Sequence, residues 1–352
     1  MLTSLKRGIP LVLKGSPFAR GLLQAELCPE MVGLVRKNVL GPINEYQGLL
    51  QSDKAKHYLG EQINITKKLF PEVFEEVKGI AKGFDLQMID LFSFYHLRIL
   101  RDMDGCTSWA VSLSEDGAIV GKNRDLAAGN KILQRVFVHH DPDWQGNKIL
   151  SVGSLGAPCA YSSGINSKGF CLVDTNILTS DHGFGACRYF LMPFLLTTCN
   201  SVNQALKKIS DLPHAGGGSL TLADNSGKIA VVELGHNHLN VKKSTQWLVQ
   251  TNHFTSTKLC PYNLKAARQS SIKNSENRLC FIKKKLSVIY RDFTLNKVIE
   301  IMKSHDEGGG ICRHHDKDTS STISGAVYTC KNRKLYFSDG NPCDSLWYKF
   351  SF

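Results

Sequence analysis

The chain has 352 residues, of which 42% are hydrophobic and 21% charged, enough to bury one large core or two ordinary ones. No apolar run reaches the length of a membrane span, and none follows Lys6 and Arg7 in the manner of a secretory signal, so a cytoplasmic location is expected. Eleven cysteines without regular spacing argue against a disulfide framework and for reduced thiols, and the formal charge of +12 falls mostly after residue 105, with a cluster between Lys258 and Lys303.

In chain order, Gly8–Val12 is a brief apolar strand and Gly15-Ser16-Pro17 a turn. The first third is otherwise helical. In Pro71–Gly83 the residues Val73, Phe74, Val77, Ile80 and Ala81 recur three and four apart, with Pro71 suited to a first turn and Gly83 to a stop. Gln87–Leu100 is a second, strongly apolar helix. Arg101–Gly105 then reads as an exposed link.

The period changes at Cys106. Thr107–Leu113 and Ala118–Asn123 form a hairpin around Ser114–Gly117. Strands follow at Val136–His140 and Lys148–Val152, and a pair at Tyr161–Asn166 and Phe170–Asn176 flanks the turn at 166–169. Helices lie near Arg188–Thr198 and Val202–Asp211. Ser219–Asp224 and Lys228–Gly235 pair around Asn225-Ser226-Gly227. Trp247–Thr251 is a strand, Leu295–Ser304 a helix, and Ile323–Cys330 with Lys334–Asp339 a last hairpin. Strand blocks flank helices without strict alternation, which favours an α+β fold of antiparallel sheets covered by helices. There is no phosphate-binding glycine loop.

The junction Asp104-Gly105-Cys106-Thr107-Ser108, between helical front and β-rich body, carries the chemistry. If Cys106 begins a mature chain, its α-amine has a reference pKa of ~7.7–8.0 and is partly neutral at physiological pH. One residue then supplies nucleophile and base. Gly105 lets the thiol approach its carbonyl closely.

The wider pattern resembles the acyl-coenzyme A:6-aminopenicillanate acyltransferase-like family of N-terminal-nucleophile hydrolases, cousins of bile-salt hydrolases and acid ceramidase. The resemblance runs from Leu13–Phe18 and Gly21, through Glu76–Gly83, Cys106-Thr107-Ser108 and Gly121–Asp125, to Gly164–Asn176, Thr251–Phe254, Ser275–Arg278 and Gly340–Cys343. It implies a four-layer αββα sandwich and cleavage between Gly105 and Cys106. It divides the chain into a helical segment 1–105, kept bound or shed, and a catalytic chain 106–352. The activity implied is that of a linear-amide hydrolase or acyltransferase, without metal or cofactor. It takes a small amide or acyl-thioester substrate, and its protein partner is its own cleaved 1–105 chain.

The resemblance also implies roles. Asp125 would hold the α-amine, Asn176 would donate to an oxyanion, Asn252 would bind the amine or the substrate amide, and Arg278 would bind a carboxylate or support the other two. Read alone, Asp125 and Asn252 are equally turn residues, Asn176 a strand end and Arg278 a solvated helical arginine. Bile-salt-hydrolase relatives carry arginine where this chain has Lys122. Lys122 and Arg124 share one face of their strand and Asn123 and Asp125 the other, so either Lys122 or Arg124 is the cation beside the thiol. His253 takes at most a secondary substrate-binding role.

Other clusters are weaker. Cys312-Arg313-His314-His315-Asp316 lacks a second ligand pair at structural-zinc spacing, and no metal site is expected there. His139-His140 and His236-Asn237-His238 read as surface histidines, and Gly216–Gly218 and Gly308–Gly310 as flexible loops. The lysines 283–285 read as a solvated helix face, since no aromatics interleave them, and nucleic acid is not expected as a partner. Two rivals remain: an uncut Cys106–His253 amidase, and a basic nucleic-acid or anionic-surface binding protein with an idle site. Oligomeric state is open.

Overall fold

The computed structural model describes residues 8–100, 105–112, 114, 116–264, 269–289, 292–305, 310–314 and 320–352, with the side chains of 98–100 and 269–271 not described. The front segment contains β1 (Leu11–Lys14), α1 (Pro17–Glu26), α2 (Val32–Glu45), α3 (Gln47–Leu50), α4 (Asp53–Leu69), α5 (Pro71–Gly83) and α6 (Met88–Leu100). There follow β2 (Gly105–Val111), β3 (Ile119–Leu126), β4 (Gln134–His140), β5 (Lys148–Ser154), β6 (Ser163–Asn166), β7 (Cys171–Thr175), α7 (Arg188–Thr198) and α8 (Val202–Ser210). The rest comprises β8 (Ser219–Ala223), β9 (Ile229–Leu234), β10 (Leu239–Ser244), β11 (Trp247–Gln250), α9 (Gln269–Ile289), α10 (Leu295–Met302), β12 (Ser321–Thr329), β13 (Lys334–Ser338) and β14 (Trp347–Phe350).

The strands form two sheets. An eight-stranded sheet runs β1-β4-β5-β6-β7-β8-β9-β10 and a six-stranded sheet β11-β2-β3-β12-β13-β14. Three apolar cores define four layers. One, with Val35, Phe92, Tyr95, Leu172 and Leu220, joins the helices of the front segment and α7–α8 to the larger sheet. A second, with Ala110, Val120, Val152 and Val173, fills the space between the sheets. A third, with Trp109, Val111, Leu279, Ile282 and Met302, packs α9 and α10 on the smaller sheet. The α+β expectation and the αββα layering therefore hold.

The larger sheet is antiparallel except where β1 joins β4 in parallel, Leu11 opposite Phe137. The front segment thus supplies an edge strand as well as an outer helical layer. Its helices interlock by close backbone contact. A Cβ on Gly21 of α1 would lie 2.1 Å from the Glu76 carbonyl oxygen, and one on Gly79 of α5 would lie 2.0 Å from that of Phe18. Only glycines permit that approach. Buried side chains then tie the segment to the body. Gln24 bonds both the Ala157 carbonyl and the Gly156 N–H, Tyr95 donates to the Gly156 carbonyl, and Glu76 accepts from the Cys159 N–H.

Several local readings change. Gly105 is not part of a link but the first residue of β2, while residues 101–104 lie outside the described residues. His139 is buried, not a surface residue, and desolvation holds its ring neutral, well below the usual histidine range. His236 and His238 are half-buried and bonded, His236 to the His214 carbonyl and His238 to Asp181. Gly216–Gly218 is a buried, closely packed segment rather than a flexible loop: a Cβ on Gly218 would meet the Arg188 guanidinium at 2.2 Å. Gly308 and Gly309 lie outside the described residues.

Candidate active site

β2 and β3 pair in register, with Gly105 opposite Asp125, Cys106 opposite Arg124 and Ser108 opposite Lys122. Side chains alternate between faces. Cys106, Ser108 and Ala110 therefore turn toward the larger sheet, where Ser108 meets Thr221 at 2.9 Å. Thr107, Trp109 and Val111 turn toward α9 and α10. Cys106 is buried, at 5% exposure.

The backbone nitrogen of Cys106 donates to Asn252 Oδ1 at 2.8 Å. Asn252 follows β11, the strand paired with β2 on the side away from β3. Its Oδ1 also accepts from Arg278 at 2.9 Å, and its Nδ2 donates to the Asn176 carbonyl at 2.8 Å. Those three contacts leave its amide a single consistent orientation. The same Arg278 donates to the Cys106 carbonyl and to Thr107 Oγ1, each at 2.7 Å, and to Asn274 Oδ1 at 2.8 Å. It is 2% exposed, so the solvated-arginine reading does not hold. The reason is helical spacing: Ser275, Arg278, Leu279, Ile282 and Leu286 form the buried stripe of α9, while Lys283, Lys284 and Lys285 take the exposed side. Ser275 adds a further bond, accepting the Asn252 N–H at 2.8 Å.

Asp125 is fully buried at the far end of β3. Its Oδ1 accepts from Thr322 Oγ1 at 2.7 Å, and its Oδ2 lies 3.7 Å from the Arg313 guanidinium with no hydrogen-bond donor of its own among the described residues. A Cβ on Gly105 would stand 3.0 Å from that Oδ2 and 2.7 Å from Arg313. The carboxylate thus abuts the Gly105–Cys106 junction, and a side chain at residue 105 would crowd Asp125 and displace the Arg313 guanidinium.

Asn176 caps the end of β7 and is buried. Arg188 at the start of α7 donates to its Oδ1 at 3.2 Å, which identifies Nδ2 as the donor end of the amide. Arg188 also pairs with Asp174 at 2.8 Å and donates to the Gly217 carbonyl. Lys122 joins the same group through a buried ion pair with Asp174 and a 3.1 Å bond to the Ser162 carbonyl. Burial alone would push the Asp174 carboxyl up, but Lys122 and Arg188 outweigh it and hold it below its ordinary value. Arg124 sits across from Cys106 and donates to Gln134 and Ser154 at 3.2 and 3.1 Å. Both cations lie on the expected face, Arg124 as the direct cross-strand neighbour of Cys106 and Lys122 committed to Asp174. His253 turns the other way, its Nδ1 2.8 Å from Ser275 Oγ, and burial lowers its pKa.

The fold therefore gathers Cys106, Asn252, Arg278 and Asn176 into one bonded chain and sets Asp125 against Gly105. Sequence reading gave no role to Asp174, Arg188, Arg313 and Thr322, and held Ser275 only as the start of the Ser275–Arg278 segment. Asp174 lies two residues before Asn176, and that same-face spacing was the one local signal available. Chemically, the arrangement offers a buried thiol, a main-chain nitrogen held by a fixed amide, a nearby carboxylate, and cationic groups around them.

The model of the acyl-coenzyme A:6-aminopenicillanic acid acyl-transferase family matches residues 112–344. Among solved structures, the chain is similar to a mutant of conjugated bile acid hydrolase from Clostridium perfringens, at 13% identity and TM-score 0.48, covering 70% of this chain and 97% of that one. A second variant of the same hydrolase gives 12% identity and TM-score 0.49 over the same shares. Penicillin V acylase from Agrobacterium tumefaciens gives 12% identity and TM-score 0.46, covering 70% of this chain and 86% of that one. No curated protein matches the sequence.

Proposed function

The chain belongs to the acyl-coenzyme A:6-aminopenicillanic acid acyl-transferase family, and from that membership we propose that it is a self-processing cysteine enzyme acting on linear non-peptide amides through an acyl-thioester on Cys106. Membership makes it an enzyme of the amide-hydrolase or N-acyltransferase kind. The single observation that carries the finer reading is the bond from the Cys106 nitrogen to Asn252 Oδ1, with Arg278 fixing that amide. It is the contact an α-amine would need, already present on the main-chain N–H.

In the processing step, Cys106 Sγ attacks the Gly105 carbonyl carbon. The C–N bond to Cys106 breaks, its nitrogen takes the thiol proton, and the acyl group rests on sulfur. Water then hydrolyses that thioester, leaving a Gly105 carboxylate and a free Cys106 with an α-amine. Asp125 Oδ2, without a donor of its own among the described residues, would take a hydrogen bond from the new ammonium. In turnover, the neutral amine receives the thiol proton and the thiolate attacks the substrate amide carbonyl. Asn176 Nδ2 donates to the resulting oxyanion, where one such donor stabilises by ~3–4 kcal/mol. The amine leaves with a proton, and water or a second amine takes the acyl group.

Residues 1–105 would remain bound after the cut. β1 completes the larger sheet, and Gln24, Glu76 and Tyr95 make buried polar contacts whose loss would leave unpaired groups in the core. Arg124, directly across from Cys106 on β3, favours a substrate that carries an anion, such as an N-acyl amino acid or an acyl-coenzyme A.

The test is to incubate the purified protein with N-acyl amides of graded chain length, with and without amine acceptors, and to weigh the Cys106-bearing chain after acid quench. An acyl adduct on Cys106 is expected for at least one amide, together with released amine. A cut protein that gives neither adduct nor amine with any of them overturns the reaction. An uncut protein that turns amides over favours the Cys106–His253 alternative.

A further inference from the structure

Four potential metal ligands converge at the edge of the fold beside the smaller sheet: His305 after α10, Cys312 and His314 before β12, and Cys343 between β13 and β14. One donor atom from each lies within 4.8 Å of all the others. His314 Nε2 is 3.1 Å from Cys343 Sγ, and the His305 and His314 rings have centroids 4.8 Å apart. We propose that these four side chains bind one soft divalent transition-metal ion, zinc foremost, in a closed tetrahedral site separate from the Cys106 centre.

Donor chemistry and geometry carry the proposal. Two thiols and two imidazoles are the ligand set of closed structural zinc sites, with metal–sulfur and metal–nitrogen bonds of about 2.3 and 2.0–2.1 Å. A tetrahedron of such bonds puts neighbouring donors about 3.3–3.8 Å apart, so donors already this close need only small side-chain shifts. Binding replaces the thiol protons. Two thiols release two protons to solvent, two neutral imidazoles join, and two thiolate charges balance the dication, with no change of oxidation state.

The backbone already ties the ligand-bearing segments together. The Cys312 N–H donates to the Ser304 carbonyl at 3.0 Å, beside His305. Arg313 exchanges two bonds with Thr322, and its carbonyl also accepts from Asn341 Nδ2 at 2.8 Å, two residues before Cys343. Cys312 is buried, Cys343 half-buried and both histidines exposed, which leaves an entry path from solvent. The spacing follows none of the paired zinc motifs, which is why the sequence argued against metal here. The second ligand pair comes from His305 and Cys343, brought in by the fold, while His315 and Asp316 lie outside the described residues. Arg313, between two of the ligands, is the residue that faces Asp125. The proposal does not depend on the reaction assigned to Cys106.

The full-length protein, reduced and stripped with a chelator, is titrated with cobalt(II) and then zinc(II). One equivalent of cobalt is expected to give thiolate-to-metal charge-transfer absorption with the visible bands of tetrahedral coordination, and one equivalent of zinc to bleach them. Cys106→Ala should keep that stoichiometry, whereas the paired changes Cys312→Ser/Cys343→Ser and His305→Ala/His314→Ala should lose it. Because those variants can also lose their fold, zinc protection is read on the unaltered chain. Zinc should shield Cys312 and Cys343 from alkylation and leave the exposed Cys280 reactive. The proposal is overturned if no thiolate band appears, if zinc protects neither thiol, or if the band persists in a folded paired variant. It is equally overturned if a Cys312–Cys343 disulfide is found and its reduced form takes up no metal.

Discussion

Arg278→Met tests the site most economically, because one guanidinium holds three of its parts. Methionine keeps much of the stem but removes the donors to the Cys106 carbonyl, Thr107 Oγ1 and Asn252 Oδ1. Hydrogen bonds from a charged donor contribute about 1.5–3 kcal/mol each. These three share one donor group and are not additive, so a total loss of roughly 3–5 kcal/mol is expected rather than their sum. The Asn252 amide keeps the Cys106 N–H and the Asn176 carbonyl but loses one of the three contacts that fix its orientation. A barrier increase of about 2.7 kcal/mol from that loss corresponds to roughly 10²-fold slower cutting at Gly105–Cys106. The assay pairs a denaturant melt with an intact-mass time course of cleavage in freshly made protein. Arg278→Lys, which keeps the charge but not the planar fork, should fall between. A folded Arg278→Met protein that is cut at the wild-type rate and melts with the wild type would refute the assignment of Arg278 as the residue that positions Asn252.

Two further outcomes follow from buried charge. Lys122→Met leaves Asp174 still paired with Arg188, whereas Asp174→Ala leaves two buried cations without their counter-ion. The second change should cost about 3–5 kcal/mol and exceed the first, as read from denaturant midpoints, and the reverse order would contradict the network described. Burial pushes Glu76 up to about 7 from an ordinary value of 4.5, with Arg20 opposing. A raised carboxyl contributes stability that is complete below its unfolded value and lost as pH rises through its folded one. Relative to Glu76→Gln, the wild type should therefore lose up to about 3 kcal/mol between pH 5 and 8, and a difference that does not change over that range would speak against it.

Much of the fold was legible where local patterns decide structure. α5 spans the residues its three-and-four spacing marks, and the β2–β3, β6–β7, β8–β9 and β12–β13 hairpins sit around turns whose glycines and asparagines announce them. The parallel pairing of β1 with β4 was not legible, because it joins segments more than a hundred residues apart with no local trace. α9 as a single helix was not legible: the sequence shows only the Ser275–Arg278 segment and the exposed lysines 283–285 of it. Its buried stripe is narrow and interrupted by Arg278, a residue whose burial depends on acceptors from β2 and the turn after β11. Asp174 and Arg188 escaped notice for the same reason, since a buried ion pair leaves no periodicity. Asp125, Asn176 and Asn252 could be named through family resemblance, but their orientation depends on neighbours that only the assembled sheets supply.

On the proposed function, Cys106 becomes a chain terminus by its own chemistry. Intact mass of the purified wild type and of Cys106→Ala tests it directly. The wild type is predicted to give two co-purifying chains, one ending at Gly105 and one beginning at Cys106, and Cys106→Ala a single uncut chain. A wild type that stays whole, or a Cys106→Ala protein cut at the same bond, would contradict it.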